Sequence, residues 1–188
     1  QMLRYCISET WRTGQIITFL EPIALYHQKD LLREKDNLWT FSYPPPKKQI
    51  TWGEVGIYGA KKSKALIISY ANGLYLSLQA QKILTEELGI DIQVLDLRWL
   101  KPLPMESIMK TINSHDKILI VDECRSTGSV SEELFVRIHE QCHRSITISR
   151  LTGEDCFITL GSSWKHLLPS KKRIIKANRN IWIINFSF

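Results

Sequence analysis

Two carboxylates stand side by side where an apolar run ends: Asp122 and Glu123 follow Ile118-Leu119-Ile120-Val121. Asp96 and Arg98 close an earlier run, Ile92 to Leu97. Open α/β folds place functional groups at the carboxyl ends of sheet strands, and paired carboxylates can do acid–base work. The plainer account is a polar network of Asp96, Arg98, Asp122, Glu123 and Glu132 that ties loops or subunits together. That account is preferred. Ser126, Thr127 and Ser129 have no base beside them in sequence, so a serine nucleophile is not supported.

Two further patterns carry chemistry on paper. His139-Glu140-Gln141-Cys142-His143 fits H-E-x-x-H, in which two histidines share a helix face and bind zinc beside a glutamate base. It falls at the end of its helix, just before a strand, and Leu134 and Ile138 give that face to the core. A solvated helix end, where histidine is electrostatically favoured, explains it more simply. Tyr70-Ala71-Asn72-Gly73-Leu74 follows the first parallel strand with one glycine, not G-x-G-x-x-G, so a dinucleotide loop is not indicated. Asn72 or a neighbour is expected to cap the next helix. His27, His115 and His166 are isolated and read as structural. Cys6, Cys124, Cys142 and Cys156 form no CxxC pair, which argues against a zinc ribbon or a disulfide framework and for a reducing compartment.

The elements that must position these residues follow from periodicity. Leu3, Ile7 and Trp11 predict a helix over residues 2–13, capped by Gly14, and Ile16 to Leu20 predicts a buried strand. Residues 21–53 are rich in aromatics and broken by Pro44-Pro45-Pro46, an ordered linker with an extended proline segment. Strands are expected at Val55–Tyr58, Ala65–Tyr70, Ile92–Leu97, Lys117–Val121 and Ser145–Ser149. Helices are expected at Asn72–Leu88, Met105–Asn113 and Val130–Cys142. The short connection at Lys61–Lys64 sets the first two strands antiparallel, and right-handed crossovers make the other four parallel with helices on both faces. The resulting fold class is a three-layer α/β/α domain with a mixed five-stranded sheet. A loop from Leu151 to Gly161 leads to helical pieces at Ser163–Leu168 and Ser170–Asn178, then to an apolar tail.

The chain has 188 residues, 44% hydrophobic and 23% charged, as in ordinary globular proteins. No apolar run reaches the ~20 residues of a membrane span, and no secretory signal pattern opens the chain. Position 1 is not methionine, so a fragment or processed chain is expected. The net charge of +6 sits largely in Lys47-Lys48, Lys61-Lys62-Lys64 and Lys171-Lys172-Arg173. No aromatic-basic signature accompanies it, so neither nucleic acid nor a membrane is an expected partner.

The run Asp96-Leu97-Arg98-Trp99-Leu100-Lys101-Pro102-Leu103-Pro104 resembles the DLR-x-L-x-PL signature of the transketolase C-terminal domain. More specifically it is similar to the beta chain of thiamine-diphosphate-dependent 2-oxo acid dehydrogenases. Leu20 to Tyr26 resembles the entry segment of that family. Val121-Asp122-Glu123, Gly128 and Ser131-Glu132-Glu133 resemble its V-x-E … G … E strand and helix. Arg150 to Asp155, Leu168-Pro169 and Ile174-Ile175 resemble its closing loop and last helix. The family usually has prolines in that loop, where this chain has Phe157-Ile158-Thr159-Leu160, and the tail from Arg179 has no counterpart.

The resemblance implies an oxidoreductase whose cofactors, thiamine diphosphate and magnesium, lie between two other domains. It implies no cofactor, metal or catalytic residue in this chain, since the activating glutamate and the Gly-Asp-Gly … Asn metal motif match nothing here. Residues 1–20 would end a missing pyrimidine-binding domain, 21–53 link it, 54–178 form the transketolase C-terminal-like domain, and 179–188 a tail. The implied partners are a second copy (dimerisation), the alpha-type chain and the acyltransferase core, in a bacterial cytoplasm or an organelle matrix. The rival expectation is a free-standing, non-catalytic α/β binding or regulatory module.

Overall fold

The computed structural model describes residues 1–60 and 62–183. Five strands form one sheet: β1 (Gly56–Gly59), β2 (Ala65–Ser69), β3 (Ile92–Asp96), β4 (Lys117–Arg125) and β5 (Thr147–Gly153). Their order is β1-β3-β2-β4-β5. All five residues of β2 are buried, as a central strand covered on both faces requires. β2, β3, β4 and β5 run parallel, and β1 is antiparallel at the edge. The edge position and reversed direction of β1 agree with the sequence reading, but the implied hairpin does not form. β1 pairs with β3, Tyr58 opposite Val94, and β2 lies one strand further in. There β2 gains two parallel neighbours in place of one short hairpin partner.

The layers follow from side-chain alternation along the strands. On one face α2 (Ala71–Leu88) and α6 (Lys171–Ile183) pack over Ala65, Ile67, Val94, Leu119 and Val121. On the other, α3 (Met105–Ile112) and α4 (Val130–Gln141) cover Leu66, Ile68, Leu95, Ile118 and Ile120. Gly14 and Gly89 end α1 (Met2–Thr13) and α2 in the left-handed conformation that spares a Cβ penalty. Asn72 does not cap α2. Extended Tyr70 is the cap residue, it makes no side-chain cap bond, and Asn72 lies one residue inside the helix.

Outside the sheet, three expectations are corrected. Ile16–Leu20 is not a strand: Ile16 is 97% exposed, because a lone extended segment has no neighbour to pair with. β4 continues to Arg125 and β5 to Gly153, since the two strands extend each other's ladder past Val121 and into the expected loop. α6 runs on to Ile183, so the start of the expected tail is helical, and Ile181 joins the core. The short α5 (Trp164–Leu167) precedes it; residues 184–188 of the tail lie outside the described residues.

Apart from one 3-10 turn at Ile23–Leu25, residues 21–53 are irregular but pinned. The carboxylate of Asp36 accepts the amides of Leu31, Leu32, Arg33 and Leu38, and Tyr75 and Gln79 of α2 donate to the carbonyls of Asp30 and Leu31. Arg4 donates to Pro45 O at 2.6 Å and lies over the Tyr43 ring, which latches α1 to the proline segment. Cys6 of α1 is buried and Tyr5 packs edge-on to Trp99, while Leu3, Ile7 and Trp11 are exposed.

Candidate functional site at the carboxyl edge of the sheet

From β2 the chain steps outward to β3, then crosses back over β2 to reach β4. That reversal lies between β2 and β4, and open α/β sheets form their crevice at such a point. Tyr70, Asn72, Asp122 and Glu123 lie there, and Ser131 at the start of α4 closes over them. Two non-glycine residues with positive φ mark the same edge, Ala71 after β2 and Arg98 after β3. Such strain persists only where the surroundings hold it. Gly73 permits the tight β2–α2 turn, since a Cβ there would collide with Ser69 Oγ. That hydroxyl donates to Val121 O at 2.9 Å.

Asp122 is the anchor. It is 1% exposed and accepts from Tyr70 Oη at 2.7 Å, Cys124 N at 2.9 Å and Ser131 N at 3.0 Å. One carboxylate thus binds β2 to β4 and meets the positive end of α4. Burial, and then the Asp122 hydrogen bond, push the Tyr70 hydroxyl far up, which keeps it a neutral donor. Glu123 is partly buried beside Asn72. Desolvation raises its pKa, the Asn72 amide opposes that, and the Asp122 charge adds to it. Desolvation and the same aspartate raise the Cys124 thiol, so it is no activated thiolate.

The remaining predicted residues are placed apart. Arg98 pairs with Asp96 at 3.3 Å, and desolvation still holds the Asp96 pKa up against that guanidinium. Among the described residues no hydrogen bond or ion pair joins Asp96 or Arg98 to Asp122 or Glu123. Glu132 accepts Gly128 N at 2.6 Å and closes the turn before α4. Sequence reasoning missed Tyr70, Ser131 and Arg150; the last donates to Ser126 O at 3.1 Å. Tyr70 lies 52 residues from Asp122, Arg150 lies 24 from Ser126 and Ser131 lies nine from Asp122, and no local spacing signals those contacts.

The HEQCH segment does not make a zinc face. α4 stops at Gln141 and Cys142 is extended, so His143 leaves the helix that carries His139. Among the described residues no group of three histidine, cysteine, aspartate or glutamate side chains is placed to hold a metal ion. A diphosphate–magnesium group does not fit this edge either. Ser131 N in the first turn of α4 already answers Asp122, Gly128 N in the turn before it answers Glu132, and the Gly73 cradle is filled by Ser69.

Residues 54–174 match the family described as "Transketolase, C-terminal domain". The chain belongs to that family. It is 35% identical over 123 residues to a pyruvate dehydrogenase E1 component subunit beta of Chlorokybus atmophyticus, covering 65% of this chain and 33% of that protein. The subunit of the same name from Cyanidium caldarium is 31% identical over 168 residues, covering 88% and 47%. The chain thus spans a third to a half of these relatives. Related beta subunits are described as chloroplastic in Arabidopsis thaliana and mitochondrial in Saccharomyces cerevisiae. A solved structure titled as a split-gene transketolase, inactive beta4 tetramer, superposes with a TM-score of 0.63 at 17% identity, covering 74% of this chain and 44% of that one. It shares the fold. No helix among the described residues is long and apolar enough to cross a membrane.

Proposed function

We propose that this transketolase C-terminal domain is an assembly part of a beta-type subunit of a 2-oxo acid dehydrogenase. The whole enzyme would decarboxylate a 2-oxo acid with thiamine diphosphate and magnesium, both held by other domains. The observation that carries this reading is the carboxyl edge itself. There the buried Asp122 is taken up inside the chain, by the Tyr70 hydroxyl and the amides of Cys124 and Ser131. The exposed Leu3, Ile7 and Trp11 of α1, followed by exposed Ile16 and Leu20, supply an apolar surface of the kind that marks an interaction site. Its partners would be a second copy and an alpha-type chain, with the acyltransferase core as a further contact. The setting would be an organelle matrix or a bacterial cytoplasm. Residues 1–20, 21–53 and 54–178 would then serve as the end of a preceding domain, its linker and the assembly domain.

Isothermal titration with thiamine diphosphate and magnesium tests the coenzyme half of this reading. No heat and no shift in melting temperature are expected. Saturable micromolar binding by the chain alone would overturn it.

A further inference from the structure

α6 buries Ile174, Asn178 and Ile181 and turns Lys172, Lys176 and Arg179 outward at the same four- and three-residue spacing. The three cations form one line about 10 Å long, at the 1.5 Å rise of a helix. None of them joins an ion pair among the described residues; the cation turned sideways, Arg173, meets Glu154 at 3.4 Å. The described part of α6 carries five basic residues and no acidic one. That is locally unfavourable. Lys171, Lys172 and Arg173 crowd the positive end of the helix dipole, and Lys172 and Lys176 repel across one turn. Local rules broken without an internal answer are characteristic of functional surface.

We propose that this face of α6 docks an acidic segment of a partner protein. Carboxylates set along the line would replace the repulsion by attraction and complement the helix dipole. The chemistry favours protein over the other polyanions. The exposed described residues of the face are Lys172, Lys176, Arg179 and Asn180, with no aromatic ring to stack a base and no apolar side chain to enter a lipid layer. The inference rests on α6 alone and stands whether or not the coenzyme reading does.

Fluorescence anisotropy with a labelled oligoglutamate peptide tests it on the full chain. The Lys172→Ala/Lys176→Ala/Arg179→Ala variant should bind about tenfold more weakly. Removing the same charge at exposed Lys29, Lys47 and Lys48 should leave binding intact, and added salt should weaken it. The α6 variant should melt no lower than the parent, since its helix is relieved of repulsion. Absent or non-saturable binding, equal loss in both variants, or a marked fall in melting temperature would overturn the proposal. So would tighter binding of duplex DNA or phosphatidylserine vesicles through the same three residues.

Discussion

At the scale of single residues, Asp122 does the most. Asp122→Ala would take the acceptor from two backbone amides and leave the Tyr70 hydroxyl only the weak Cys124 Sγ contact at 3.9 Å, at a cost of about 3 kcal/mol in urea unfolding. Asp122→Asn, which keeps one acceptor oxygen, should cost less. Glu123 acts in the opposite sense. Its folded pKa is raised above the ordinary 4.5, so its contribution is fully present below that pH and is lost as pH rises through the folded value. Glu123→Gln should therefore melt higher than the parent at neutral pH, and the difference should close as the pH falls toward 4.5.

His115 gives a second titration with its own sign. His115 is 1% exposed; Nδ1 donates to Thr111 O at 2.8 Å, and Nε2 is buried without a partner among the described residues. Burial, assisted by the Arg144 charge, lowers its pKa below 6.5 despite the Thr111 bond. The unfolded chain then takes up a proton first as pH falls through 6.5, and stability drops. Melting curves should show His115→Gln losing less stability than the parent between neutral pH and pH values below 6.5. Reading His115 as structural was within reach of the sequence, since it stands alone beside an apolar strand. Its missing Nε2 partner was not, because that depends on how Arg144 folds back over the end of α3.

At the scale of elements, apolar runs and crossover rules sufficed for the central sheet. Ala65-Leu66-Ile67-Ile68 and Ile118-Leu119-Ile120-Val121 are too uniformly apolar for anything but buried parallel strands. Order and pairing were less legible. β1 passes over its neighbour in sequence to pair with β3, and Ile16–Leu20 has strand composition but no strand beside it. Strand formation is decided by the partner, which periodicity does not report. The β2–α2 junction offers an element-scale test. Gly73→Ala drives a methyl into Ser69 Oγ and should cost roughly 1–3 kcal/mol. With Ser69→Ala in the background the clash is gone, so the double variant should lose less than the sum of the two single losses. Additive losses would show that the contact is not the cause.

At the scale of the whole molecule, Asp122 at the sheet edge is answered from within by Tyr70, Cys124 N and Ser131 N, while Leu3, Ile7 and Trp11 of α1 are exposed among the described residues. That distribution is what the proposed assembly role calls for. The family resemblance was legible because the Asp96–Pro104 signature is local; the inward-turned edge was not, because Tyr70 and Asp122 are 52 residues apart. Sedimentation velocity over a concentration series, on the parent chain and on Leu3→Glu/Ile7→Glu/Trp11→Glu, measures assembly most directly. The account predicts reversible self-association of the parent and a folded, monomeric variant. A parent chain that stays strictly monomeric up to its solubility limit would contradict it.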